Sequence, residues 1–268
     1  MRALVMGVLN VTPDSFSDGG RYLSHDAAVA HGLEMVAEGA DVVDVGGESS
    51  RPGAEPVGEA EEHRRVVPVV EALSPHVRVS VDTVKEAVAE AAVRAGATLI
   101  NDVSASLHEV AAATGVGWVA MHMRGTPRTM QRDPRYDDVV AEVEAFLAER
   151  AERAVAAGVR EVWVDPGIGF GKTAGHNLTL LRHLDRLAAG GHPVLVGTSR
   201  KSFLGHLTAD EPRPLTVDQR LDGSLATAVW AMAHGASMVR AHDVAPTVQA
   251  AQVVGPVPGL AASVGGGP

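Results

Sequence analysis

A (β/α)₈ barrel is the fold this sequence predicts, and three observations predict it. Short apolar runs rich in Val recur along the chain, each followed by a polar or glycine-rich loop and then a longer segment of helical period. Eight such runs fall within 268 residues, the count and length of a single closed barrel. The competing architecture, an open doubly wound sheet, calls for a phosphate-binding loop after an early strand, and no GxGxxG occurs. The nearest approach to a P-loop, PGIGFGKT from Pro166 to Thr173, has proline where the first glycine is required, so it is a glycine-rich turn with another purpose.

Taken in order, strands are expected at Leu4 to Val11, Asp41 to Gly47, Val77 to Thr83, Thr98 to Ser104, Gly117 to Met123, Glu161 to Gly167, Pro193 to Ser199 and Ser237 to Val244. After the third strand, Val84, Ala87, Val88, Ala91, Ala92 and Ala95 form one buried helical stripe that Gly96 ends. His176 to Gly190 shows similar spacing through Leu180, Leu181, Leu184 and Leu187. Residues 1–256 are read as one barrel domain and 257–268 as a frayed, flexible tail.

Composition removes several classes of function. A net charge of −10 repels a nucleic-acid backbone or an anionic membrane, so neither is expected as a partner. An aromatic content of 3% leaves little for stacking single-stranded bases. Without cysteine there is no disulfide, thiolate nucleophile or Cys-type metal site, which fits a reducing cytoplasm. The opening MRALVMGVLNVTPDSF is interrupted too early by Asn10, Thr12 and Asp14 to read as a signal peptide, and no apolar window is long enough for a membrane span.

In a barrel the loops after the strands meet at one face, so polar residues at strand ends converge although they lie far apart in sequence. Here the strand ends carry Asn10, GGESSRPG from Gly46, Asp82, Asn101 with Asp102, His122, Asp165, SRK from Ser199 and RAH from Arg240. Any one of these is an ordinary cap or turn residue, but at matched strand ends they make a site. Ser199, Arg200, Arg240 and His242 follow the last two strands, where such barrels often hold phosphate. Asp82, Asn101 and Asp165 offer two carboxylates and an amide, suited to the donor-rich edge of a planar heterocycle, with a metal as the competing use. HExxH is absent, which leaves a loosely held Mg²⁺ on a ligand such as Asn10 as the form a metal would take. Lysine occurs only at Lys85, Lys172 and Lys201; Lys85 is read as solvated charge, and Lys201 as a chosen ammonium or, in an aldolase, a Schiff-base amine. These residues define a barrel enzyme acting on a phosphorylated, heterocyclic small molecule.

Eight stretches in order then resemble the dihydropteroate synthases of folate biosynthesis: MGVLNVTPDSFSDGG from Met6, DVGGESSRPG from Asp44, SVDT from Ser80, INDVS from Ile100, MHMRGTP from Met121, DPGIGFGKT from Asp165, GTSRKSFLG from Gly197 and VRAHDV from Val239. The resemblance implies displacement of pyrophosphate from 6-hydroxymethyl-7,8-dihydropterin diphosphate by 4-aminobenzoate, in an SN1-like manner. It implies a pterin site of Asp82, Asn101, Met121, Asp165, Gly169, Gly197 and Lys201, and an aminobenzoate site of Ser50, Arg51, Pro52, Phe170, Lys201 and Ser202. It further implies a diphosphate site of Asn10, Arg51, Arg240 and His242, with Asn10 near Mg²⁺. Catalytic weight would rest on Asp82, Lys201, Arg240, His242 and Arg51. A cytoplasmic homodimer, inhibition by sulfonamides, and covering loops at Thr12 to Gly20 and Gly46 to Gly53 that are poorly ordered without ligand come from the same resemblance. Ser50 stands where many relatives carry threonine, which keeps the hydroxyl. A pterin-binding methyltransferase subunit and an inactive pterin-binding paralogue are the alternatives; intact loops at Asp14 and Arg51 speak against decay.

Overall fold

The computed structural model describes residues 2–12, 21–49, 55–207 and 214–256. Among the described residues, parallel strands close into a barrel in the order β1-β2-β3-β4-β5-β6-β7-β8. They are β1 Leu4–Asn10, β2 Val42–Gly46, β3 Arg78–Asp82, β4 Leu99–Asp102, β5 Gly117–Met121, β6 Val162–Asp165, β7 Val194–Gly197 and β8 Ala236–Ala241. All eight expected strands are present, each a little shorter than the sequence reading. The expected runs extend into the first loop residues, where single backbone bonds persist, such as Val11 N–H to the Gly46 carbonyl at 2.8 Å and His122 N–H to the Asp165 carbonyl at 2.9 Å, before the chain leaves the ladder.

Helices alternate with them: α1 Arg21–Ala37, α2 Glu59–Leu73, α3 Glu86–Arg94, α4 His108–Thr114 and α5 Val139–Ala157. Beyond β6 come α6 Ala174–Arg182, α7 Leu184–Ala188, α8 Ser202–Leu207, α9 Leu221–Ala233 and α10 Val244–Val254. The helix expected over His176–Gly190 is thus two helices that meet at His183, which takes φ −111° and ψ 27°. The leucine stripe continues through the break because both pieces bury leucines against the barrel: Leu180 and Leu181, then Leu184 and Leu187. Helix α5 starts at Asp138, whose carboxylate accepts from the backbone N–H groups of Val140 (3.0 Å) and Ala141 (3.1 Å).

Two separate apolar clusters form the core. The larger lies between strands and helices, and the smaller fills the barrel with Met6, Val42, Leu99, Val119, Trp163, Leu195 and Met238. Side chains two apart along a strand share a face. The next inward positions are therefore Asp44, Asn101, Met121, Asp165, Gly197 and Arg240, with Asn10 and Gly46 one step further on β1 and β2. Alternation alone turns the apolar barrel core into a polar mouth at the C-terminal ends of the strands. The tail expected at 257–268 and the covering-loop segments 13–20 and 50–54 lie outside the described residues.

Candidate active site at the barrel mouth

Arg240 organises the inner wall. Its Nε donates to Asp44 Oδ2 at 2.7 Å and its Nη2 to Asp82 Oδ2 at 3.0 Å, and Asn101 Nδ2 donates to the same Asp44 oxygen at 2.9 Å. Burial opposes the charge on Arg240, yet the flanking Asp44 and Asp82 hold its pKa above the ordinary arginine value. Burial pushes the Asp82 carboxyl up, against the pull of Arg240 and with the repulsion of Asp44. Asp44 is fully buried, and its Oδ1 has no hydrogen-bond partner among the described residues.

The opposite wall carries Asp165 and Lys201. Asp165 Oδ1 accepts from the Gly167 N–H at 2.7 Å; burial raises its pKa and the Lys201 ammonium draws it back. Lys201 Nζ donates to the Ile168 carbonyl and lies 4.6 Å from the centre of the Phe170 ring. Burial lowers its pKa to about 8, partly offset by Asp165. The two glycines expected to admit the pterin ring make room for this lysine: a Cβ on Gly169 would lie 3.1 Å from Lys201 Cδ, and one on Gly197 would lie 3.7 Å from its Nζ.

Two cavities open at this mouth. One, of about 330 Å³, is lined by Asp82, Met121, Val103, Thr83 and Lys85 among others. The second, of about 390 Å³, holds Asn10, Gly169, Phe170, Gly197, Lys201, Ser202, Arg240 and His242. The hydrogen bond from Arg240 to Asp82 joins a residue of the second to a residue of the first. Asn101 and Asp165 sit beneath, 4% and 5% exposed. Thus the expected pterin, aminobenzoate and diphosphate residues that are described gather here, while the strand-end residues His122 and Asp102 turn to other partners and Ser50, Arg51 and Pro52 fall outside the described residues.

Two expectations shift. Arg200 lines the second cavity beside Arg240 and His242, but its guanidinium is committed to Asp243, with Nε 3.0 Å from Oδ2. Its backbone takes φ 57°, a left-handed conformation uncommon outside glycine, held by its N–H to Ser224 Oγ at 2.9 Å. Lys85 is not solvated charge: Nζ donates to Glu48 Oε2 at 2.6 Å and to the buried Glu62, whose other oxygen accepts from Thr83 Oγ1 at 2.6 Å. Glu48 Oε2 also accepts from the Val57 N–H at 2.9 Å, so one carboxylate ties both sides of the 49–57 segment. The sequence signal for Glu62 is its position four residues before Val66, on the helix face that Val69, Val70 and Leu73 bury. His242 stands beside Ser199, with Nδ1 3.1 Å from Oγ. Asp102 belongs to the scaffold, accepting from the N–H groups of Ser104 (2.9 Å), Ser106 (2.6 Å) and Leu107 (2.7 Å).

No cluster of three His, Asp or Glu able to hold a metal occurs among the described residues. What this region offers a hard cation is two oxygens, Asn10 Oδ1 and Asp82 Oδ2, which lie 3.9 and 3.8 Å from where a Cβ on Gly46 would be, the second also accepting from Arg240. That donor set fits Mg²⁺ in its usual enzymatic form, retaining waters and sharing phosphate oxygens with the substrate.

A barrel whose mouth sets buried carboxylates against a cationic cavity is the framework of a pterin-binding enzyme, and residues 6–242 match the family of that description. The chain belongs to this family and, within it, to the dihydropteroate synthases. The dihydropteroate synthase of Escherichia coli is 47% identical over 258 residues, covering 93% of this chain and 90% of its own. The Yersinia pestis dihydropteroate synthase, solved with a sulfonamide drug complex, superposes with a TM-score of 0.87 at 48% identity, covering 94% of this chain and 93% of its own. That of Xanthomonas albilineans, solved with 4-aminobenzoic acid, gives 0.87 at 50% identity over 94% and 92% of the two chains. Its complex with 7,8-dihydropteroate gives 0.83 at 47% identity, again over 94% and 92%.

Proposed function

We propose that this chain joins 4-aminobenzoate to the methylene carbon of 6-hydroxymethyl-7,8-dihydropterin diphosphate, releasing pyrophosphate and giving 7,8-dihydropteroate for folate biosynthesis. The observation that carries it is the Asp82–Arg240 bond, which sets a carboxylate of one cavity against a cation of the other. The C–O bond to the departing diphosphate breaks ahead of attack, leaving positive charge on the methylene and ring. Asp82 stabilises that charge electrostatically, while Arg240 and His242 receive the anion. The aniline nitrogen then bonds to the carbon and loses a proton to solvent, and no dedicated general base is needed.

Asp165, Asn101 and Lys201 hold the pterin edge with Met121 against its ring, and Phe170, Lys201 and Ser202, with Ser50, Arg51 and Pro52, receive aminobenzoate. Mg²⁺, held by Asn10, supplies charge neutralisation on the diphosphate when bound. Supporting this division, Arg240 commits Nε and Nη2 to carboxylates and so keeps a fixed plane, with Nη1 left to an anion. The same reading carries three further proposals: sulfonamides compete at the aminobenzoate subsite, the chain pairs as a homodimer, and it works in the cytoplasm. No described helix is long and apolar enough to cross a membrane.

The test is pyrophosphate release from the dihydropterin diphosphate with Mg²⁺, with and without 4-aminobenzoate. Release that depends on aminobenzoate and yields dihydropteroate is the expected result. Binding of the pterin without any release would instead point to a methyltransferase subunit or an inactive relative.

A further inference from the structure

Lys172 ends the glycine-rich turn that the sequence marks as a failed P-loop, and it is 3% exposed. No carboxylate pairs with it among the described residues. Its Nζ instead lies 3.0 Å from the Gly167 carbonyl oxygen, 3.1 Å from that of Phe170, 3.2 Å from that of His122 and 2.9 Å from His122 Nδ1. When the lysine is charged its three N–H donors are shared among these four acceptors, and His122 then carries its ring proton on Nε2. Burial and the neighbouring ammonium keep that imidazole neutral, its pKa lowered to about 3.

Other contacts reach this turn, the Gly167 N–H donating to Asp165 Oδ1 (2.7 Å), the Gly169 N–H to Asn177 Oδ1 (2.8 Å), Gln131 Nε2 to the Gly169 carbonyl (2.7 Å) and the Tyr136 hydroxyl to the Gly171 carbonyl (2.9 Å), but among the described residues only Lys172 donates to the Phe170 carbonyl. Gly167, Gly169 and Gly171 take φ of 66°, 85° and 62°, and a glycine-rich segment has many other conformations to populate. Without the Lys172 donors, the Phe170 carbonyl would be left in a buried space with no donor among the described residues and the Gly167 carbonyl with only the Phe170 N–H, 3.0 Å away, a cost that favours rearrangement. Yet this turn sets the second cavity: the Ile168 carbonyl accepts from Lys201, and the Phe170 ring lies under the same ammonium. Two lysines therefore grip one turn, Lys201 at residue 168 and Lys172 at residues 167 and 170.

We propose that Lys172 is a positioning residue for the aminobenzoate subsite, its caged amino group fixing the 167–171 turn so that Phe170 and Lys201 present one geometry to the aromatic substrate. This rests on the function proposed above for the identity of that substrate. Lys172 itself touches neither substrate; it acts through the turn.

The experiment uses the full chain as Lys172→Met and His122→Phe, with two readouts. In steady-state kinetics, Lys172→Met raises KM for 4-aminobenzoate about tenfold or more, the effect of losing a buried hydrogen-bonded group, while KM for the dihydropterin diphosphate changes less than about threefold. His122→Phe removes one acceptor of the four and shifts KM the same way by less. Hydrogen exchange without ligand shows faster exchange of the Phe170 amide, which bonds to the Gly167 carbonyl at 3.0 Å in the intact turn. Equal changes in both KM values, or an unchanged aminobenzoate KM in a folded variant, overturn the proposal. Should Lys172→Met not fold, His122→Phe decides by the same criteria. If the wild-type protein does not join the two substrates, the proposed function fails, and exchange at residues 167–171 still decides whether Lys172 holds the turn.

Discussion

Asp44 shows what one residue settles at this site. A carboxylate inside the apolar strand VVDVG is affordable only with partners, and it finds two donors, Arg240 Nε and Asn101 Nδ2, from strands distant in sequence. In Asp44→Ala both donors lose their acceptor in a buried setting, so stability falls by about 3 kcal/mol. The guanidinium also loses the contact that fixes its plane, and affinity for the dihydropterin diphosphate drops about tenfold or more. Asp44→Asn keeps an oxygen for Arg240 and recovers part of both. Urea unfolding and titration calorimetry read the two effects; undiminished affinity in Asp44→Ala would remove Asp44 from the site. The residue types at strand ends made Asp82, Asn101, Asp165, Lys201 and Arg240 legible from sequence, because a barrel forces strand ends together. Asp44 and the Glu48–Lys85–Glu62 cluster were not, since a pairing across tens of residues leaves no spacing pattern behind.

Among elements, strands and their order were legible because Val-rich runs can do little except enter a parallel barrel wall. Where each strand stops was less so, since leaving the ladder depends on hydrogen bonds that the next loop offers. His122 illustrates this: the expected strand ran to Met123, while β5 ends at Met121 and His122 turns to meet Lys172. The β6 loop packs so closely on that segment that a Cβ on Gly167 would lie 1.9 Å from the His122 carbonyl oxygen. Gly115, which ends α4, has a similar φ of 73° but open space around the same position. Substituting alanine at the two sites separates backbone strain from collision. Gly115→Ala costs about 1–2 kcal/mol for the left-handed conformation alone. Gly167→Ala adds an overlap with backbone that no rotamer relieves, and costs more than about 3 kcal/mol. Equal shifts in the urea midpoints of the two variants would mean that the β6 loop slides off the β5 segment at little cost.

For the whole molecule, the site sets stability and activity against each other on the alkaline side. Lys172 and Lys201 are buried, and burial lowers their pKa values from 10.5 to about 7 and about 8. In the unfolded chain both hold protons up to about 10.5, so between about pH 8 and 10 the unfolded state binds more protons than the native one. Stability therefore rises with pH across that window, the sign expected for basic groups whose folded pKa is depressed. Other groups act outside it. Tyr136, raised by burial to about 12, reverses the trend only above about 10, and Lys85, held charged by its glutamates, stays protonated throughout. Activity runs the other way, because a neutral Lys201 loses the cation that faces Phe170 and Asp165. kcat/KM should decline as pH rises through about 8, while the urea midpoint at pH 9.5 exceeds that at pH 7.5. Lys201→Arg keeps its charge across the range, so any activity it retains lacks that alkaline limb. Lys172→Met and Lys201→Met each flatten part of the rise in stability. A midpoint that falls between pH 7.5 and 9.5 would show that the two ammonium groups are not held at a cost, and that the charge at the mouth is balanced before substrate arrives.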